Sequence, residues 1–154
     1  MNHAPDGYRC PFCAIVSGVF GDHVLTSADE VVLREELVTA FVSSHQWPRN
    51  RGHVLVVPNA HIENLYELSD DLALPIHRVV KRVAIALKAA YSCPGVSTRQ
   101  HNEPAGGQDV WHFHVHVFPR YAGDHLYRND RAVVPTGVRL EQAARLREAL
   151  ELKA

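Results

Sequence analysis

Residues 111–118 read Trp-His-Phe-His-Val-His-Val-Phe, and this stretch decides how the whole chain is interpreted. Successive side chains of a β-strand point to opposite faces of its sheet. A strand here therefore places three histidines on one face, His112, His114 and His116. The residues between them fall on the other face, where they can pack against a core: Phe113, Val115 and Val117. We predict a strand over His112–Phe118 that carries a row of imidazoles.

Three aligned imidazoles are compatible with several kinds of site. A solvent-facing strand or three hydrogen-bonded core histidines would need no function, and a metal site would use two or three of the rings as ligands. The preceding segment, residues 102–108, reads Asn-Glu-Pro-Ala-Gly-Gly-Gln. Its two glycines let the backbone approach a ligand closely, and Asn102 and Gln108 offer neutral hydrogen-bonding groups suited to phosphate oxygens. The combination favours phosphoryl chemistry over a closed metal cage.

Length and composition favour one globular domain. The 154 residues are 46% hydrophobic and 21% charged, which predicts a single domain over 1–154, with a loose tail at 1–8. The formal net charge of −1 makes nucleic acid an unlikely partner. No apolar run approaches the roughly 18–20 residues that span a bilayer, so we expect no membrane partner. The N-terminal residues lack the pattern of a signal peptide, and we expect a cytoplasmic location.

The cysteines and histidines point to metal or acid–base chemistry. Three cysteines, Cys10, Cys13 and Cys93, are too few for a disulfide framework. Cys10 and Cys13 form a Cys-x-x-Cys pair, which can be a redox pair, two inert thiols or half of a zinc site. A redox pair normally opens a helix after a buried strand, and nothing before Cys10 reads as such a strand. The pair and the eleven histidines therefore favour zinc.

The chain alternates short apolar runs with two helical patterns, which predicts an α+β fold with an antiparallel five-stranded sheet. One helix starts after Ser69, which is a good N-cap, and repeats apolar residues along one face until the sequence Cys-Pro-Gly at 93–95. A second, C-terminal helix is predicted over Leu140–Leu152. The strands are expected at Val31–Leu33, Val38–Val42, Val54–Val57, Val96–His101 and His112–Phe118.

Three motifs together resemble the histidine triad family. Residues 112–118 resemble its alternating His-apolar motif. Residues 52–61, Gly-His-Val-Leu-Val-Val-Pro-Asn-Ala-His, resemble its second block, and residues 10–15, Cys-Pro-Phe-Cys-Ala-Ile, resemble its N-terminal block. The resemblance covers roughly residues 10–130. It is strongest toward the bacterial zinc-binding branch and, through the tail at 119–130, toward the branch that hydrolyses dinucleoside polyphosphates.

The resemblance implies a fold, an assembly and a reaction. The fold would be a sheet with one long helix, and the sheets of two protomers would join in a homodimer. His114 would attack the α-phosphorus of a nucleotide to form a covalent nucleotidyl-imidazole, from which water releases the mononucleotide. A neutral imidazole is a competent nucleophile at neutral pH. His112 and His116 would stabilise charge and move protons, and Gln108 would orient the leaving group or the water.

Other reactions stay open at this point. The same motif is compatible with a nucleoside phosphoramidase, with a nucleotidyl transferase or phosphorylase, and with a non-catalytic nucleotide-binding protein.

The resemblance also implies a zinc site formed by Cys10, Cys13, His61 and His112. Four protein ligands leave no open coordination position, so the metal would be structural. His53 is a competing candidate, but it stands away from the family's ligand position. Magnesium is a second expected cofactor, arriving with the phosphates of the nucleotide.

The expected substrate contacts come from separate parts of the chain. Asn102 and Gly107 would hold phosphate oxygens, and Phe41 and Ile15 would form apolar walls for the base. Ser43 stands where the family usually has an acid that grips the ribose hydroxyls. A serine can hydrogen-bond a ribose, but it cannot accept bidentately through two oxygens as a carboxylate does. Ribose selectivity would then be weaker, or another acid, Asp29 or Glu35, would serve.

Overall fold

The computed structural model describes residues 3–152 and confirms an α+β fold. Seven strands are present: β1 (Val31–Arg34), β2 (Val38–Val42), β3 (His45–Gln46), β4 (Val54–Pro58), β5 (Gly95–Gln100), β6 (Val115–Arg120) and β7 (Ala132–Val133). Three α-helices accompany them: α1 (Pro11–Ser17), α2 (Asp70–Tyr91) and α3 (Thr136–Glu151). Short 3₁₀ turns lie at Ala28–Glu30, Leu65–Glu67, Pro104–Gly106 and Leu126–Arg128.

Five strands form the predicted antiparallel sheet in the order β1-β2-β4-β6-β5, while β3 and β7 pair in a separate two-stranded ribbon. The hairpin of β1 and β2 is confirmed by pairing of Arg34 with Thr39. In the centre of the sheet, β4 pairs with β6 through Val54–Val56 and Val115–Val117. The strand with the histidines therefore lies between two neighbours and not at an edge.

Helices cover both faces of the sheet, and the alternation of side chains decides which residues meet them. The larger core joins α2 and α3 to alternate strand residues, among them Ala40, Val56 and Val117. The smaller core, on the opposite face, joins α1 to Phe41, Leu55 and Val57. Because His114 and His116 alternate with Val115 and Val117, the histidines face the α1 side of the sheet.

The long helix begins and ends where its sequence predicts. Ser69 is the N-cap residue of α2, and Asp70 and Asp71 lie in the first turn, where the helix dipole favours acids. The helix continues through Pro75 and ends when Ser92 adopts a left-handed conformation, two residues before Pro94. Its buried face is Leu72, Ile76, Val79, Val83, Ala86 and Leu87.

Several element boundaries differ from the prediction. β6 begins at Val115 instead of His112, because β4 pairs with β6 only as far as Val56. Before that point the chain leaves the ladder, and the Phe113 amide donates instead to the Ile62 carbonyl at 2.6 Å. α3 starts at Thr136, four residues before the predicted start. α1 and the two-residue strands β3 and β7 are too short for periodicity to indicate them.

The N-terminal segment that was expected as a loose tail lies against the loop before the triad in residues 3–8; residues 1–2 lie outside the described residues. The His3 and Ala4 amides donate to the carboxylate of Glu63 at 2.7 and 3.4 Å. The His3 ring stacks on Trp111 at 5.7 Å between centroids, and the Tyr8 hydroxyl accepts from the Trp111 amide at 3.2 Å. These bonds tie residues 3–8 to the segment that leads into the histidines.

Candidate functional site

His114 is held with one ring nitrogen presented to a cavity. The side chain is 2% exposed. Its Nδ1 lies 2.7 Å from the carbonyl oxygen of His112. Because a carbonyl only accepts, Nδ1 carries the proton, and Nε2 keeps its lone pair. Nε2 lies 3.9 Å from a carboxylate oxygen of Asp109. The backbone of the triad itself therefore sets the tautomer of its middle histidine.

His116 is oriented by a fourth histidine, His53. Nδ1 of His53 lies 3.0 Å from the carbonyl oxygen of His45 and must donate to it. Nε2 of His53 therefore accepts, and it lies 2.9 Å from Nδ1 of His116. It follows that His116 is protonated on Nδ1 and keeps a lone pair on Nε2. His53 has no place in the expected zinc set, and its role here is to fix the His116 ring.

Burial keeps these imidazoles neutral at physiological pH. Desolvation lowers the pKa of His112 to about 4 and that of His53 to about 3. Burial also lowers the pKa of His114. The pKa of His116 falls well below its usual range, again mainly through burial, with the neighbouring His53 adding to the effect. Lone pairs on uncharged rings are thus available for chemistry or ligation.

The cavity beside His114 has a volume of about 510 Å³ and is mostly apolar with a few polar groups. Its apolar walls come from α1, from the segment before β1 and from β4, and they include Phe12, Ile15, Val24, Leu25 and Leu55. Its polar groups include Ser43, Asp109, Asp130 and Arg131, together with His114 and His116. This combination of apolar walls and convergent polar groups is typical of small-molecule sites.

The predicted walls of the base site are partly in place. Ile15 and Ser43 line the cavity. Phe41 does not, because Phe12 on α1 packs between, with its ring edge-on to Phe41 at 5.4 Å. The Ser43 hydroxyl donates to the carbonyl oxygen of His45 at 2.8 Å.

The acids considered for the ribose lie elsewhere. Glu35 forms an ion pair with Arg82 on α2, and the carbonyl oxygen of Asp29 accepts from Arg147 on α3 at 2.6 Å. Within residues 3–152, Asp109 and Asp130 are the acids that line the cavity. Asp109 pairs with Arg131 at 3.0 Å.

The loop before the triad is held by hydrogen bonds within itself and to residues 63 and 65. The Gln108 amide group donates to the carbonyl oxygens of Glu63 and Val110 at 2.7 and 3.0 Å, and its oxygen accepts from the Glu103 amide at 2.8 Å. Asn102 accepts from the Leu65 amide at 2.7 Å. Gly107, which adopts a φ of +84°, lines a separate, smaller cavity. In this conformation Gln108 and Asn102 hold the loop, and a contact with substrate requires an exchange of these bonds.

Four donor atoms converge beside the triad. Sγ of Cys10 and Sγ of Cys13 lie 3.4 and 3.6 Å from Nδ1 of His112, and Sγ of Cys13 lies 3.1 Å from Nδ1 of His61. All four ligand atoms lie within 4.8 Å of one another. Nε2 of His112 donates to the Pro58 carbonyl at 3.0 Å, which leaves Nδ1 free to bind a metal. The predicted residues Cys10, Cys13, His61 and His112 therefore meet at one place.

The thiol pair opens α1, with Cys10 as its N-cap residue. This feature is shared with redox pairs, but no strand precedes the helix between residue 3 and Cys10. Burial and the adjacent Cys10 raise the pKa of Cys13 to about 12. The donor set of two thiols and two imidazoles suits a tetrahedral zinc ion.

Comparison with known proteins identifies the family. The HIT domain, in which HIT stands for histidine triad, matches residues 25–123. Protein hit of Bacillus subtilis is 38% identical over 113 residues, which are 73% of this chain and 72% of that protein. The chain belongs to the histidine triad family.

Solved structures of the HIT family share the whole fold. A Hit-like protein from Bartonella henselae matches with a TM-score of 0.80 and 28% identity, covering 96% of this chain and 99% of that one. A zinc-bound histidine triad family protein from Mycobacterium smegmatis matches with a TM-score of 0.76 and 29% identity, covering 94% of each chain. The HIT family binds nucleotides and includes nucleotide hydrolases.

Sequence reasoning missed Asp109 and Arg131, which line the cavity beside His114, and it considered His53 only as a competing zinc ligand. Arg131 comes from a segment after the triad, and it reaches the carboxylate of Asp109 at 3.0 Å. The Gly-His start of the second block was the available signal for His53. No pattern in the sequence pairs residue 109 with residue 131.

The hydrogen bonds assign a tautomer to each of the three triad rings, and this assignment can be measured. We expect His114 and His116 to carry the proton on Nδ1 and His112 on Nε2. Long-range ¹H–¹⁵N spectra of labelled protein near pH 7.5 distinguish the two forms. Replacing His53→Phe keeps a ring but removes the acceptor, so the tautomer of His116 should become mixed while that of His114 stays fixed. A wild-type His116 protonated on Nε2 would contradict the assignment.

Proposed function

We propose that this protein is a nucleotide hydrolase that acts through a covalent nucleotidyl-His114 on the α-phosphate of a dinucleoside polyphosphate or related nucleotide. The observation that carries the proposal is the unprotonated Nε2 of a buried, neutral His114 at the wall of a 510 Å³ cavity. The apolar walls around Phe12 and Ile15 suit a base, and the polar end beside His114 suits a phosphate.

The first step uses the lone pair on Nε2 of His114. It attacks the α-phosphorus, the bond from phosphorus to the leaving oxygen breaks, and that oxygen keeps the electron pair. The proton stays on Nδ1, and its hydrogen bond to the His112 carbonyl oxygen stabilises the cationic adduct. Arg131 lines the same cavity and supplies positive charge near the phosphate oxygens.

The second step returns the enzyme to its starting form. Water attacks the phosphorus, the nitrogen–phosphorus bond breaks, and the mononucleotide leaves. His116 has its lone pair on Nε2, because Nδ1 donates to His53. It is therefore placed to accept a proton from the attacking water. Because burial lowers the pKa of His116, this proton passes on to solvent and the ring returns to its neutral form. The His53 ring holds His116 in orientation.

The alternatives give different products. A phosphorylase would form a nucleoside diphosphate when inorganic phosphate is present, and a phosphoramidase would prefer adenosine phosphoramidate to dinucleotides. A non-catalytic protein would bind nucleotide without turnover. Mass-resolved products from adenosine phosphoramidate and from diadenosine tri- and tetraphosphate, with and without phosphate, separate these cases.

Substitution of the nucleophile tests the mechanism. His114→Ala should lower turnover by roughly three orders of magnitude or more, as for other deleted nucleophiles. Quenched single-turnover reactions with labelled substrate should place a nucleotide on His114 of the wild type, and free imidazole should restore part of the activity to His114→Gly. His77→Ala removes an exposed histidine of α2 and serves as the control. Full activity in His114→Ala would refute the covalent mechanism.

We further propose that Cys10, Cys13, His61 and His112 hold one structural zinc ion. The convergence of their ligand atoms supports this, as does the zinc-bound family member from Mycobacterium smegmatis. When bound, the metal would link α1 to the segment that precedes β6. Among residues 3–152, the group of side chains that could hold a metal ion is this Cys/His cluster, which does not suit magnesium. Magnesium therefore stays an expectation that concerns the phosphates of the substrate.

Metal analysis and melting temperature test the zinc site together. Wild-type protein should contain about one zinc per chain, and the double variant Cys10→Ser, Cys13→Ser should contain almost none. Its melting temperature should fall by roughly 5 °C or more, since 1 kcal/mol corresponds to about 2–4 °C at this size. Cys93→Ser removes a thiol outside the cluster and should keep the zinc. Zinc well below one equivalent in the wild type would show the pair to be redox-active or inert.

We also propose a homodimer, with β5 as the strand that joins the two sheets. β5 lies at an edge of the sheet, beside β6, and an open edge is normally covered or paired. The other edge, β1, contacts α3. Light scattering at micromolar concentration should give twice the chain mass of 17.2 kDa. A monomeric mass over the same concentration range would rule the dimer out.

A further inference from the structure

A second, smaller cavity lies on the far side of His116 from the nucleotide cavity. Its volume is about 160 Å³. His116 and Arg131 line both cavities, so the two spaces share a wall. The other lining residues of the small cavity are Trp47, Arg99, His101 and Gly107. Neither Arg99 nor the small cavity has a part in the function proposed above.

The small cavity is lined by positive charge on a rigid aromatic support. The guanidinium carbons of Arg99 and Arg131 lie 5.7 and 5.6 Å from the ring centre of Trp47. Trp47 is 6% exposed and packs against Phe118 at 4.9 Å between ring centroids. The stacked ring restricts both guanidiniums, so they are ordered before any ligand arrives.

Of the two guanidiniums in this cavity, Arg131 has a carboxylate partner and Arg99 has none among residues 3–152. Arg131 pairs with Asp109 at 3.0 Å. In the part of the chain between residues 3 and 152, no carboxylate lies within 4.0 Å of the Arg99 guanidinium. An ordered guanidinium without a counter-ion is a strong site for an anion, and its planar donors match phosphate oxygens.

The cavity continues the path along which a phosphate chain would run. The ring centroids of His114 and His116 are 4.8 Å apart, and those of His116 and His101 are 5.7 Å apart. The row thus leads from the nucleophile into the small cavity. A water takes about 30 Å³ of liquid volume, so a cavity of 160 Å³ has room for a phosphate group.

We propose that Arg99 and Arg131 form a subsite for the phosphate group next to the reacting α-phosphate. This rests on the proposed function and narrows it to substrates, or acceptors, that carry such a phosphate. When Nε2 of His114 bonds to the α-phosphorus, the bridging oxygen leaves with the electron pair and becomes a terminal phosphate oxygen. The added negative charge appears beside the two guanidiniums, which stabilise it. An amine leaving group carries no such charge and gains nothing from Arg99.

Two sources can supply this phosphate. It is either the β-phosphate of a polyphosphate leaving group or free inorganic phosphate that accepts the nucleotidyl group. In the second case its oxygen attacks the adduct, the nitrogen–phosphorus bond breaks, and a nucleoside diphosphate forms. The same Arg99 variant tests both, because the two routes give different products.

The kinetic test compares substrates that differ in the leaving group. For Arg99→Gln, kcat/KM with diadenosine tetraphosphate should fall about ten- to a hundredfold, the loss expected for a charged hydrogen bond. The loss with adenosine phosphoramidate should be threefold or less. Arg99→Lys keeps the charge without the planar guanidinium, so its kcat/KM with diadenosine tetraphosphate should lie between those of the wild type and Arg99→Gln. Arg78→Gln removes an exposed charge on α2 and should leave kcat/KM unchanged with both substrates.

The ratio of the two losses decides the outcome. A selective loss with the tetraphosphate assigns the subsite to the leaving group. A selective loss of nucleoside diphosphate formation, in the presence of phosphate, assigns it to the acceptor. Equal losses with both substrates, or no loss in any arm, overturn the proposal.

A binding measurement keeps the subsite testable if the protein does not hydrolyse nucleotides. Pyrophosphate titrated into the wild type and followed by ³¹P NMR or calorimetry should bind, and Arg99→Gln should weaken the binding by at least about tenfold, at the lower end of a charged hydrogen bond. If pyrophosphate binds in this way but the quenched reactions show no nucleotide on His114, the subsite stands and the proposed reaction is refuted. Pyrophosphate that does not bind the wild type, or binds Arg99→Gln equally well, refutes the subsite.

Discussion

The hydrogen bond from Nδ1 of His114 to the carbonyl oxygen of His112 connects the two halves of the site. The backbone of residue 112 sets the tautomer of the nucleophile, and the side chain of the same residue belongs to the Cys/His cluster. The His112 ring is fixed in turn by the carbonyl oxygen of Pro58 at the end of β4. A displacement of the cluster would therefore move the carbonyl that orients His114. A metal bound there, as proposed, would stabilise the orientation of His114, although it would leave no coordination position for the substrate.

Burial of four imidazoles on one face is stable only because their nitrogens have partners. A buried polar group without a partner costs about 1–3 kcal/mol, and each triad ring uses one nitrogen for a backbone carbonyl or for His53. The remaining nitrogens face the cluster or the cavity. The same desolvation lowers the pKa of the rings and keeps their lone pairs free. The same hydrogen bond therefore has two effects on each ring. It gives one buried nitrogen a partner, and it leaves the other nitrogen unprotonated and able to react or to bind a metal.

Periodicity predicted the parts of the fold that extend over several residues. The 22-residue α2 repeats its apolar face often enough to be read from the sequence, and the triad alternation correctly placed the histidines opposite the α2 core. The pattern could not show where pairing with β4 stops, so β6 was drawn three residues too early. Phe41 was expected as an apolar wall for the base, but α1 places Phe12 in front of it. The seven-residue α1 is too short to be detected by periodicity, and its position decides which aromatic ring faces the cavity.

The residues around His114 come partly from the region that matches the HIT domain and partly from the segment that follows it. The triad and the second block lie in the region that matches the HIT domain, which ends at residue 123. Arg131 and Asp130 lie beyond it, and they are positioned by the ribbon in which β3 pairs with β7. Continuing that antiparallel register by one residue places Arg131 opposite Trp47, where its guanidinium is found. His114 thus lies in the family region, whereas Arg131 is supplied by a segment that no motif describes. In the mechanism proposed here, the motif indicates the reaction, whereas the preference between leaving groups would depend on Arg99 and Arg131 and has to be argued from the structure.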